Sequence, residues 1–312
     1  MKKALSLLLL LPLASCGGNS VTSVTSPSSS SEEVEEIEIK YEIPADEDIP
    51  SSVAEANGEA MDVATVKRLL GHPLSGKTIY FLGSSVTYGA SSNGVAMGEY
   101  LQAKTGCISK KDAVSGTTIF DDNKTANTGV NSYTRRLVNS TVFDKNEKVD
   151  AFICQISTND STNDRLTKRG NITADDVLDM EEFDRTTTLG GIEFIISYVT
   201  EYWNCPVYFY SGGYFSDGTN KANRENSNPK GSEYGKLVGQ VKQIAEKWEK
   251  VDYAHVAVID MFNDKEFNAV ASDKYYSFAM ADPIHPRKAG YRQWWTPYIE
   301  AFLTRETNNY QF

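Results

Sequence analysis

From residue 77 onward, short apolar runs alternate with segments in which hydrophobic residues return at helical spacing. Residues 77–83 (KTIYFLG) are β-rich and end in glycine, and 149–157, 205–210 and 253–261 are further apolar runs. A weaker candidate strand lies near 110–115. The stretches between them predict helices over 94–104, 132–142, 189–203, 232–250 and 288–304. In the fourth, Val238, Val241, Ile244, Ala245 and Trp248 repeat at the spacing of one helix face. Strands that are apolar along their length are buried on both faces. Their alternation with helices predicts an α/β fold with a parallel, doubly wound five-stranded sheet. Residues 51–70 predict one more helix ahead of the first strand, and 51–312 form one domain of ordinary size. In such sheets ligands bind beyond the carboxyl ends of the strands, where the strand order reverses.

The first fifty residues follow a different pattern. Lys2 and Lys3 precede an apolar run over 4–13, too short to cross a bilayer, which takes about 20 residues. That arrangement is a secretion signal. Leu13-Ala14-Ser15-Cys16 resembles the lipobox of bacterial lipoproteins, which implies that residues 1–15 are removed and that Cys16 becomes the acylated N-terminus. Residues 16–50 are rich in Ser, Thr, Gly and Pro, then in Glu and Asp, and form a flexible linker. More than one acyl chain makes anchoring stable, so the expected location is the bacterial cell envelope, outside the cytoplasmic membrane.

The chain carries 31 basic against 42 acidic side chains, a net of −11. Beyond residue 50 the balance is 28 against 33, so the globular body is only mildly acidic. This excludes nucleic acid as a partner through the usual route, phosphate neutralisation by Lys and Arg.

Chemistry gathers where strands end. After the first strand comes Gly83-Ser84-Ser85-Val86-Thr87-Tyr88-Gly89, a turn that can present a serine at the start of a helix. It departs from the nucleophile elbow G-x-S-x-G at Thr87 and lacks the phosphate-binding G-x-x-x-x-G-K pattern. Ser115-Gly116-Thr117-Thr118 follows the weak second strand, and a glycine there lets a backbone N–H approach a bound substrate. Ser157-Thr158-Asn159-Asp160 follows the third. The tetrapeptide recurs at 161–164, but Asn159 stands nearer the strand than Asn163 and is the better oxyanion donor. Of three histidines, His255 reads as a packed strand residue and His72, before Pro73, as a surface or loop residue. His285 lies in the proline-stiffened Ala281-Asp282-Pro283-Ile284-His285-Pro286, with Asp282 close enough to bond the imidazole and fix its tautomer. Taken alone, that segment is equally a solvent-exposed Asp-Pro turn.

The four blocks together, in this order, resemble the SGNH (GDSL-type) hydrolase family. The resemblance implies a flavodoxin-like three-layer α/β/α sandwich that needs no metal and no cofactor. It implies Ser85 as nucleophile, His285 as base and Asp282 as acid, with the Ser85 N–H, Gly116 and Asn159 as oxyanion donors. Two positions depart from the family pattern: Ser84 stands in place of the aspartate of G-D-S, and Ser157 in place of the glycine of G-x-N-D. The function so implied is a serine esterase acting on an extracellular acyl ester, with O-acetylated carbohydrate the first choice of substrate. A lipase or acylhydrolase of the same family, or a non-catalytic glycan- or solute-binding lipoprotein, are the alternatives.

Three long connections, 158–188, 211–230 and 263–281, would rim the pocket. Their aromatics Tyr214, Phe215, Tyr275, Tyr276 and Phe278 either stack on sugar rings or pin the loops to the body. Cys107, Cys154 and Cys205 remain after processing. Cys154 and Cys205 lie on sequential strands, so either a disulfide or buried thiols fits, and no C-x-x-C metal spacing exists. Trp294 and Trp295, in the last helix, are expected in the core.

Overall fold

A computed structural model of the chain describes residues 48–121, 131–214, 232–269 and 273–310. The signal segment, Cys16, nearly all of the linker and Phe215 lie outside the described residues. Five strands form one sheet: β1 (Thr78–Gly83), β2 (Ile108–Ala113), β3 (Ala151–Gln155), β4 (Val207–Tyr210) and β5 (Val256–Ile259). Every pairing is parallel, in the order β2-β1-β3-β4-β5. The chain winds from β1 to β2, then crosses back to β3 on the other side of β1. The order therefore reverses between β1 and β3, whose carboxyl ends stand side by side.

Alternation along each strand divides the core in two. Tyr80, Leu82, Phe152, Cys154, Val207 and Phe209 face one layer, built by α2 (Tyr133–Val138), α3 (Thr188–Trp203) and α4 (Glu233–Trp248). Ile79, Phe81, Ile153, Tyr208 and Tyr210 face the other, built by α1 (Met97–Thr105), α5 (Thr296–Tyr310) and the Trp294–Trp295 pair. The α/β/α sandwich is thus as expected. β2, one of the two edge strands, was the faint one in the sequence: its Ser, Lys and Asp side chains are only half-buried, whereas β1 and β3 are buried at every position. Cys107, Cys154 and Cys205 are free and buried, and burial pushes their thiols up, that of Cys107 to about 11.

Two expectations need correction, those for residues 51–70 and for His72. Residues 51–70 do not form one helix. Asn57 and Gly58 end a short helix at Val53–Ala56, and only the 3-10 turns Glu59–Met61 and Val63–Thr65 follow. Poor helix formers at that junction explain the break, and Arg292 Nη1 fastens the remainder through the carbonyls of Ala60 (2.7 Å) and Asp62 (3.3 Å). The final helix lies where expected but carries a π-turn, Tyr291–Trp295, between Lys288–Gly290 and α5, and both tryptophans are buried as expected. His72 is not at the surface. It is 4% exposed, accepts the Leu74 N–H at Nδ1 (3.1 Å) and meets Glu300 Oε1 through Nε2 (3.2 Å). Lys104 Nζ takes the other Glu300 oxygen at 2.6 Å, so the three side chains join the pre-strand segment, α1 and α5.

Candidate active site

β1 ends at Gly83, and the chain turns at once into the helical turn Ser85–Tyr88, with Ser85 its first residue. Tyr88 N–H donates to Ser84 O (2.8 Å), and Gly89 closes the turn in the left-handed region. Tyr291, just past the His285 loop, donates its hydroxyl to Val86 O at 2.7 Å. Ser85 is thereby held between the sheet end and the last helical layer.

The Asp282–His285 loop is a tight hairpin. Met280 and Pro286 pair as an antiparallel bridge, and Ala281 N–H donates to His285 O at 2.8 Å. Asp282 Oδ1 accepts the backbone N–H groups of Ile284 (2.8 Å) and His285 (2.9 Å). Its other oxygen, Oδ2, lies 2.7 Å from His285 Nδ1. His285 Nε2 lies 2.8 Å from Ser85 Oγ, across 200 residues of sequence. A carboxylate on Nδ1 puts the proton there and leaves the Nε2 lone pair facing the serine hydroxyl. Burial raises the Asp282 carboxyl, but bonds from the His285 ring and from the Ile284 and His285 N–H groups outweigh it and hold the group below its ordinary value. Asp282 itself is exposed, so the segment is both an exposed Asp-Pro turn and the partner of His285.

The second and third blocks meet each other. Gly116 sits at φ +79°, where an L side chain is strained, and the space where a Cβ would project is open. Asn159 Nδ2 donates to Thr117 O at 2.9 Å. Among the described residues only that carbonyl accepts from the amide, which leaves its second hydrogen for a ligand. Ser157 Oγ donates to the same carbonyl (3.3 Å) and accepts the Asn159 N–H (3.2 Å). Ser157 thus fastens Asn159 to the Gly116 segment.

Three further groups brace these loops; motif reading quoted Asp160 without giving it a role and missed the other two. Arg136, on α2, donates to Gly83 O through Nη2 (2.7 Å) and to Asp112 O through Nη1 (2.7 Å), tying the ends of β1 and β2. Asp160 has no exposed surface; it accepts the Ile119 N–H (3.0 Å) and the Thr188 hydroxyl (2.9 Å). Burial pushes its carboxyl up to about 6, against the pull of its hydrogen bonds from Ile119, Ser157, Thr188 and Phe120. Gln155 closes β3 beneath the Ser84–Thr87 turn. The sequence signal for Arg136 was a charge amid the buried run of a helix; Gln155 gave none.

Of the candidate sugar-stacking aromatics, Tyr214 (7% exposed) and Tyr275 (0%) are buried and pin their loops, Tyr214 edge-on to Phe262. Tyr276 and Phe278 are half-buried. His255 borders β5 rather than lying within it, and its ring is set between Glu249 (2.8 Å) and Glu306 (3.1 Å).

No protein-family model and no curated protein matches the chain. Solved structures do. One crystal structure is similar at TM-score 0.53 and 19% identity, over 75% of this chain and 98% of that one. A carbohydrate esterase family 2 enzyme with a carbohydrate binding domain, from Corynascus thermopiles (Myceliophthora fergusii), is similar at TM-score 0.44 and 15% identity, over 78% and 69%. A putative SGNH hydrolase from Slackia heliotrinireducens is similar at TM-score 0.43 and 14% identity, over 74% and 100%. At these identities the likeness is one of architecture. The chain has an α/β fold, a five-stranded parallel sheet sandwiched between helices.

Proposed function

We propose that this protein is a serine esterase of the SGNH type, with Ser85 as nucleophile, His285 as general base and Asp282 as the acid that orients it. The reading is carried by the unbroken chain from Ser85 Oγ to His285 Nε2 (2.8 Å) and from His285 Nδ1 to Asp282 Oδ2 (2.7 Å). His285 takes the serine proton at Nε2 as Oγ bonds to the ester carbonyl carbon. The carbonyl oxygen becomes the oxyanion, received by the Ser85 and Gly116 N–H groups and the remaining Asn159 amide hydrogen. Collapse breaks the bond to the alcohol, which leaves with the proton from Nε2. Water then repeats the sequence on the acyl-serine and releases the acid.

The substrate in this reading is an extracellular acyl ester, foremost an O-acetyl group on a carbohydrate. Lipid on Cys16 holds the enzyme to the bacterial envelope, with the acidic linker as tether. A fluorophosphonate should label Ser85 one to one, and Ser85→Ala should abolish turnover of a chromogenic acetate ester without loss of fold. Full turnover in that variant would falsify the assignment. Acetylated sugars set against p-nitrophenyl esters of rising chain length test the substrate, and higher kcat/KM on the longer acyl chains overturns it.

A further inference from the structure

Ser84 stands where the family resemblance would have a carboxylate, so some other group must hold the turn that carries Ser85. Gln155 Oε1 accepts from the Ser84 N–H (2.9 Å) and the Ser84 hydroxyl (3.2 Å). It also accepts from the Thr87 N–H (3.3 Å) and the Thr87 hydroxyl (2.9 Å). One oxygen thus gathers four donors, two from the residue before Ser85 and two from the second residue after it. The Thr87 hydroxyl is shared with Tyr210, at 2.6 Å, on β4. The cluster is sealed: Ser84 has no exposed surface, Thr87 1%, Gln155 2% and Tyr210 none. Gly83 completes the fit. A Cβ there would lie 1.7 Å from Thr87 Oγ1 and 2.9 Å from Gln155 Oε1, so the turn is seated directly on the amide.

The arrangement has a chemical direction. Backbone N–H groups at the start of a helical turn have no partner within it. A side-chain oxygen that takes those of Ser84 and Thr87 pins the Gly83–Ser84 and Val86–Thr87 peptide planes, which bracket Ser85. With those planes fixed, the Ser85 N–H and Oγ keep one orientation toward a substrate and toward His285. We propose that Gln155 is the positioning residue of the nucleophile: from the adjacent strand it clamps the Ser84–Thr87 turn, so that Ser85 points along the line to His285. This rests on the esterase reading and adds a residue to it that never touches substrate.

The test compares wild type, Gln155→Met and Gln155→Glu by kcat and KM on a chromogenic acetate ester, with fluorophosphonate labelling and circular dichroism alongside. Met keeps the volume and removes the acceptor. Glu keeps an oxygen in the same place. A misplaced nucleophile loses roughly 10- to 100-fold in rate. The expected result is that fall in kcat for Gln155→Met with KM within about twofold, a parallel fall in labelling rate, and recovery of most of both by Gln155→Glu. A folded Gln155→Met with wild-type kcat overturns the positioning role and leaves the esterase intact. A wild-type protein that neither turns over ester nor labels overturns the esterase reading itself. If Gln155→Met does not fold, Thr87→Val, isosteric but one donor short, takes its place. It should lose several-fold in kcat at unchanged KM, and an unaltered kcat then overturns the proposal.

Discussion

Replacing Asp160 by asparagine should abolish a pH dependence of stability that the wild type carries between pH 4 and pH 7. The carboxyl is wholly buried and its pKa is raised from 3.8 to about 6 in the fold. A raised acid is favoured in its protonated form, so its contribution to stability is fully present below pH 3.8 and is lost as pH rises through about 6. At about 1.4 kcal/mol per unit, the fold gives up on the order of 3 kcal/mol over that interval to keep this group ionised. The asparagine of the variant cannot ionise, and its amide oxygen can still accept from Ile119 and Thr188. The stability difference between variant and wild type should therefore swing by about 3 kcal/mol in favour of the variant from pH 4 to pH 7. In melting temperature that is a relative shift of about 6 °C or more. Urea unfolding of both proteins at several pH values measures it, and carboxylates common to the two cancel in the difference. A difference that stays flat across the interval refutes the burial argument. A swing of opposite sign would mean that hydrogen bonds, not desolvation, dominate at Asp160.

The remaining predictions concern the proposed triad and a buried ion pair between α3 and α4. Asp282→Ala should lower kcat by about 10- to 100-fold, the modest end of acid–base effects, because this carboxylate is exposed and water can partly replace it. An unchanged kcat on the acetate ester would exclude Asp282 from orienting His285. Lys247 is buried against Glu193, Nζ to Oε1 at 2.6 Å, and also donates to Thr173 Oγ1 and Val177 O. Lys247→Met strands the Glu193 charge and should cost about 3 to 5 kcal/mol in urea unfolding, most of it recovered by adding Glu193→Leu. A single-variant loss below about 1 kcal/mol would show that water reaches the pair.

The difference between what the sequence foretold and what it hid follows from the range of the interactions involved. Four of the five strands announced themselves because strands packed on both faces are apolar, β5 included although it is an edge, whereas β2, at the other edge, has no buried residue and was faint. The Asp282–His285 pair was legible for a related reason: they stand three positions apart, and two prolines stiffen the loop between and after. Ser85 was findable by its place after a strand that ends in glycine. By contrast His72 precedes its partner Glu300 by 228 residues, and no local pattern distinguishes a buried, bonded histidine from one in a loop. Gln155 lies 71 residues from Ser84, in a run where one polar side chain among apolar ones carries no motif. The burden of holding this site in place falls on such distant groups. Arg136 ties β1 to β2 and Asp160 ties the Gly116 segment to α3, while Ser85 and His285 sit on short turns that could not hold their geometry alone. A motif locates the atoms that meet the substrate, and the long-range hydrogen bonds of buried polar groups decide whether those atoms meet each other.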